Sequence, residues 1–187
     1  MPINPIKLEN LRKANEESHR LIVESLREAL YKMLEMKDIS EIKVIDLCHA
    51  AGVSRGAFYK HFYLITDVLK DDIKTVADDV RRTIGPDISV NWDIILHAVY
   101  QHKEKIPLLL KAGMGMEILD QINRSIDAVP DQYKLRIAAW NGIIFNAVGI
   151  WAVAGFKRPI DQLAAELTQT TAHLYDSAVA YAFDPNV

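Results

Sequence analysis

The stretch AGVSRGAFYKHF, residues 51–62, has the most definite chemistry in this chain. On a helical wheel of about 100° per residue, Ala57, Phe58 and Phe62 share one side, with His61 near its edge. Arg55, Gly56, Tyr59 and Lys60 fall on the other. A helix this short is stable only when packed, so the phenylalanine side must face neighbours and the other side faces outward. That outward side holds two cations and a phenol, and Gly56 would let a partner approach the backbone closely. Ser54 is a suitable N-cap. A short helix over 44–51 precedes, burying Val44, Leu47, Cys48 and Ala51, and Gly52 stands at its C′ position. Two short helices joined by a glycine-containing turn are the helix-turn-helix pattern, whose second helix enters the DNA major groove. No acidic residue occurs from Leu47 to Thr66, although the chain has 25. A local basic surface of this kind suits phosphate contact. The plainer alternative is a solvated helix in an all-α bundle, with Tyr59 packed locally.

Other chemistries find no support. There is no glycine-rich phosphate loop, G-x-S-x-G elbow or H-E-x-x-H pair, so catalysis is not expected. The single cysteine, Cys48, lies on an apolar helix face, where a thiol acts as a small hydrophobe. His97 and His102 are five apart rather than the four that align two metal ligands on one helix. His49 and His61 belong to the stretch already described. Neither metal nor cofactor is implied.

The elements that must position this stretch are helical. Glycine (8) and proline (7) are scarce among 187 residues, and strand-like alternation is absent. A first helix is predicted over 16–36, with Leu21, Ile22, Leu26, Ala29, Leu30, Met33 and Leu34 as one stripe and Glu24, Arg27, Glu28 and Lys32 opposite. Thr66 or Asp67 would cap a helix running to Thr83, and Ile84-Gly85-Pro86-Asp87 breaks the chain. Further helices are predicted over 91–104 (capped by Asn91), from Ile106-Pro107, over 114–128, over 131–156 and over 161–182. The expectation is an all-α fold of about nine helices. A DNA-binding domain is expected over 1–66, with an N-terminal arm at 1–15, and a second helical domain over 67–187, to which the family resemblance described below assigns effector binding and dimerisation.

Half of the residues are hydrophobic, ample for a core, and the net charge of −3 makes any nucleic-acid surface a local one. One cysteine permits no internal disulfide, which suits a reducing compartment. The N-terminus lacks a signal-peptide h-region. The most apolar run, 143–156, is too short to span a bilayer and carries Asn146. The expected location is cytoplasmic, without membrane contact.

The segment IKVIDLCHAAGVSRGAFYKHF resembles the DNA-binding domain of tetracycline-repressor-like (TetR-family) regulators. Ile42, Val44, Asp46, Ala51, Gly52, Val53, Ser54, Phe58, Tyr59, His61 and Phe62 match that family's pattern, and the resemblance extends over about 16–70. It implies a homodimer that binds a palindromic operator on double-stranded DNA, with one helix-turn-helix per half-site. A small ligand in the C-terminal domain would release the DNA. By position, Ser54 opens the reading helix, and Arg55, Gly56 and Ala57 would face base edges with Lys60 beside them. Tyr59, His61 and Lys43 would hold phosphates. Two departures stand out. Lys43 occupies a common threonine position, and Ile65 a common lysine position, which removes one phosphate contact per protomer. Lys7, Arg12 and Lys13 in the arm are candidates to compensate.

Beyond residue 84 the resemblance is limited to length, helicity and a late pattern carried by Trp151, Gly155 and Pro159. Gly142, Gly149 and Gly155, with Trp151 beside them and Ala164, Ala165, Ala172, Ala178, Ala180 and Ala182 on the last helix, suggest a four-helix dimer interface. Candidate ligand residues are His97, Tyr100, Met114, Met116, Trp140, Phe145 and Trp151, which would suit a hydrophobic or aromatic effector. Gly113-Met114-Gly115-Met116 could line or gate that pocket. Aromatics at helical spacing also read as ordinary core. The alternative function is a protein-interaction co-regulator of the same fold with weak or no operator binding.

Overall fold

The computed structural model describes residues 5–84, 91–128 and 130–182. Among these, every regular element is helical: nine α-helices and three 3-10 turns. The chain divides into two compact units between Leu69 and Lys70, rather than after Thr66.

In the first unit, α1 is Pro5–Met36, α2 Val44–Ala51 and α3 Arg55–His61, with 3-10 turns at Ile39–Glu41 and Ile65–Leu69. Helix α1 begins eleven residues earlier than its apolar stripe predicts, so from Pro5 onward the expected arm is helix. Residues 12–20 are all exposed, and no buried face marks them in the sequence. Proline at the first helical position and the Glu9–Lys13 pair (3.7 Å) favour helix there without tertiary packing. Val23, Leu26, Ala29, Leu30, Met33 and Leu34 are the buried stripe, whereas Leu21 is exposed. Ile42, Leu47, Cys48, Phe58, Val68 and Leu69 are also buried in this unit. Neither Thr66 nor Asp67 caps a following helix. Asp67 Oδ2 instead turns back and accepts from the Tyr63 and Leu64 N–H groups, at 3.1 and 2.8 Å.

The second unit comprises α4 Lys70–Ile84, α5 Trp92–Tyr100, α6 Ile106–Lys111, α7 Gly115–Asn123, α8 Asp131–Val153 and α9 Ile160–Ala182, with a 3-10 turn at Arg124–Ala128. Asn91 caps α5 by accepting from Asp93 N–H (3.0 Å). Its core gathers Val76, Trp92, Leu96, Trp140, Trp151 and Leu163. Trp92 Nε1 donates to buried Thr171 Oγ1 (2.9 Å), tying α5 to α9. Lys105 pairs with buried Asp72 at 3.1 Å and so fixes α4 to the turn after α5.

Helix α8 departs from expectation. The whole helix, Asp131–Val153, is long and apolar enough by length and composition alone to cross a membrane, a test that core helices also pass. Trp140, Asn141, Trp151 and Ala152 are nevertheless buried in the core of this unit. Its other side is apolar and exposed at Leu135 (81%), Ile150 (74%) and Val153 (77%).

Candidate nucleic-acid interface

The turn between α2 and α3 is fixed by backbone chemistry. Gly52 adopts φ +66°, the left-handed region that glycine enters without strain. Val53 N–H then reaches Cys48 O at 2.9 Å and Gly52 N–H reaches His49 O at 3.2 Å, closing the end of α2. Ser54 Oγ accepts from Ala57 N–H at 3.1 Å and starts α3. Three consecutive residues thus set the angle between the two short helices.

Helix α3 is polarised as the wheel predicts. Phe58 is fully buried, and Ala57 and Phe62 are half-buried. Ser54, Arg55, Gly56, Tyr59 and Lys60 are exposed. Lys43 is exposed just before α2, where its side chain makes no capping bond. A Cβ built on Gly56 would meet only Ser54 Oγ, at 3.9 Å, so packing within the chain does not require glycine there. Burial pushes the Cys48 thiol above its usual range, and nearby Arg55 only partly offsets this. A neutral, buried thiol is a packing group.

Two features escaped the sequence. The His61 ring rests against His19 of α1, with centroids 4.3 Å apart and planes at 54°. Burial, then His19, then Lys60 hold the His61 imidazole below the ordinary histidine range. No local pattern links an exposed residue of α1 to the end of α3, so only the tertiary fold could reveal this pair. The loop after α3 also presents Tyr63 (89% exposed) and Leu64 to solvent, held by the Asp67 carboxylate.

The C-terminal candidates divide between core and surface. His97 and Met116 lie on the surface. Tyr100 and Trp140 belong to the core: Tyr100 stacks on Trp151 (5.8 Å) and Trp140 packs on Trp92 (5.3 Å). Met114 is buried and Phe145 half-buried, with Phe145 Cζ 3.5 Å from a Cβ built on Gly115. A groove of about 550 Å³ between α4 and α7 includes Met116 alone among them. Lys70, Asp71, Lys74, Glu117, Asp120 and Arg124 bring its charges, beside the apolar surface of Ile73 and Met116.

The interface candidates also separate. Trp151 is a core residue whose Nε1 donates to Arg158 O at 3.0 Å. Gly155 (φ +72°) is explained by the turn that ends α8, where Phe156 N–H meets Trp151 O at 2.9 Å. Gly142 and Gly149 differ from both, because a Cβ on either would meet nothing within 4 Å in its own chain. Ala172 is exposed, and the side chains of Ala178, Ala180 and Ala182 lie outside the described residues.

No protein-family model matches this chain, and no curated protein matches it either.

Proposed function

We propose that this chain is a DNA-binding transcriptional regulator of the tetracycline-repressor-like kind, a repressor that binds a palindromic operator as a homodimer. The observation that carries this reading is the outward face of α3. Arg55, Gly56, Tyr59 and Lys60 are exposed on a helix whose opposite side is seated by Phe58 and whose start is fixed by Gly52 and Ser54. An uninterrupted absence of carboxylates from 47 to 66 leaves that face free of charges that would repel phosphate.

Dimer formation is supported by α8. Leu135, Ala139, Gly142, Asn146, Gly149, Ile150 and Val153 recur at helical spacing along its uncovered side. Burying each of the large aliphatic side chains against a second copy would contribute about 1.5–3 kcal/mol. A small apolar effector in the second unit would act by opening the aromatic core around Trp92, Trp140 and Trp151.

The test is fluorescence anisotropy on duplex from immediately upstream of the chain's own gene, at two salt concentrations. Tight, salt-sensitive binding saturating at two protomers per site is the expected result. If binding there is no tighter than to random duplex, a genome-wide selection of bound fragments that also returns no preferred sequence rejects the reading.

A second reading, a protein-interaction co-regulator of the same fold, is favoured by one feature. Beside the basic face, where a lysine would add a phosphate contact, stands Ile65, preceded by exposed Tyr63 and Leu64. An apolar surface there suits a protein partner better than a phosphate backbone.

A further inference from the structure

His19 and His61 are distant in sequence, yet their rings meet at 4.3 Å between α1 and the last turn of α3. The charged groups bearing on His61 are His19 from α1 and Lys60 from its own helix, with none from α2, which also packs on α3. Of the carboxylates along α1 near His19, Glu17 and Glu24 are engaged by Arg20, at 2.6 and 3.5 Å, while Glu16, three residues before His19, is exposed. His61 itself lies beside Lys60 and the His19 ring, at the edge of the outward face. An imidazolium at His61, partly buried and this close to a second titratable ring, is disfavoured. A phosphate oxygen brought to His61 would reverse that balance, because an imidazolium N–H donates to an anion far more strongly than a neutral ring does.

We infer that His19 is a positioning residue for His61, holding its ring at the edge of the α3 face and setting the pH at which it accepts the proton it would donate to a DNA phosphate. Operator binding then takes up a proton from solvent, and affinity rises as pH falls. This inference rests on the DNA-binding reading above.

The experiment measures duplex affinity by anisotropy from about pH 8 to about pH 5.5, the range in which histidine titrates, for the wild type, His19→Gln and His61→Gln. NMR titration of the imidazole rings is run on the same proteins without DNA, and thermal melts confirm that each is folded. Wild-type affinity should rise by up to about tenfold per pH unit, the limit for one linked proton. His61→Gln should flatten the profile. His19→Gln should move its midpoint to higher pH, and the free-protein midpoint of His61 should move the same way, since the neighbouring ring that disfavours its protonation is gone. A purely structural role for His19 would shift neither midpoint. A wild type that binds with a flat profile overturns the inference, as does a His61 midpoint unmoved by His19→Gln. If no duplex is bound at any pH, the DNA-binding reading fails and this inference with it.

Discussion

Phe58 and Tyr59 are adjacent in sequence, and their rings meet edge-on at 5.2 Å with planes at 88°, yet one is fully buried and the other half-exposed. The division between the packed and presented sides of α3 runs between them. Phe58→Ala should therefore destabilise the first unit by about 3–5 kcal/mol, the usual cost of emptying a buried aromatic site. Tyr59→Phe removes only a hydroxyl exposed to water. It should leave the melting temperature unchanged and weaken duplex binding several-fold. Urea unfolding and anisotropy on the same two proteins separate the roles. A Tyr59→Phe variant that binds as the wild type does would remove Tyr59 from the interface.

Gly56 provides an independent probe of the same face. Nothing in the chain crowds a Cβ there. Within a helix, alanine is favoured over glycine by about 1 kcal/mol. Gly56→Ala should accordingly raise the melting temperature of the free protein while lowering its affinity for DNA, because the added methyl stands where a base edge would approach. Stability and binding would move in opposite directions, which a general packing defect cannot produce.

The His61 environment predicts a pH dependence of folding that needs no DNA. Its folded-state pKa lies below the unfolded value, so between the two the unfolded chain binds more protons. Stability is then fully present above about pH 6.5, the ordinary histidine value, and declines as pH falls through the window below it. Denaturant midpoints for wild type and His61→Gln should diverge as pH is lowered through this window, the wild type losing more.

In the second unit, Trp92 Nε1 has a buried acceptor in Thr171. Thr171→Val keeps the shape and removes the acceptor, leaving a buried donor unsatisfied at a cost of about 1–3 kcal/mol. Calorimetry of the intact chain should show the loss. A melting temperature unchanged from wild type would mean that water replaces the hydroxyl.

The elements of the first unit were legible where local rules govern them. Apolar spacing, the Gly52 stop and the Ser54 cap mark α2 and α3 to within a residue, and the two sides of α3 follow from its periodicity. The start of α1 was not legible, because residues 12–20 are all exposed and leave no periodic apolar trace. The Asp67 cap was misread because a carboxylate can satisfy donors behind it as well as ahead of it. The His19–His61 contact depends wholly on tertiary packing. In the second unit helix count and order were readable, but Trp151 and Gly155 were not separable from Gly142 and Gly149. Periodicity shows that a helix face is apolar without showing whether its own chain or another covers it.

That ambiguity is now confined to Gly142 and Gly149 and the exposed aliphatics beside them. Both glycines lie within α8, where alanine would be intrinsically better, and neither is crowded by its own chain. If α8 remained solvated, Gly142→Ala and Gly149→Ala would each stabilise the protomer and leave the oligomeric state unchanged. If a second copy packs on this side, the methyls hold the two backbones apart and the aliphatic contacts beside them loosen. We expect the double alanine variant, and separately Ile150→Asp, to shift sedimentation velocity from dimer toward monomer at micromolar concentration. Duplex binding should weaken in parallel, because two half-sites are no longer engaged together. A wild type that sediments as a monomer throughout would leave the apolar side of α8 without the partner proposed for it.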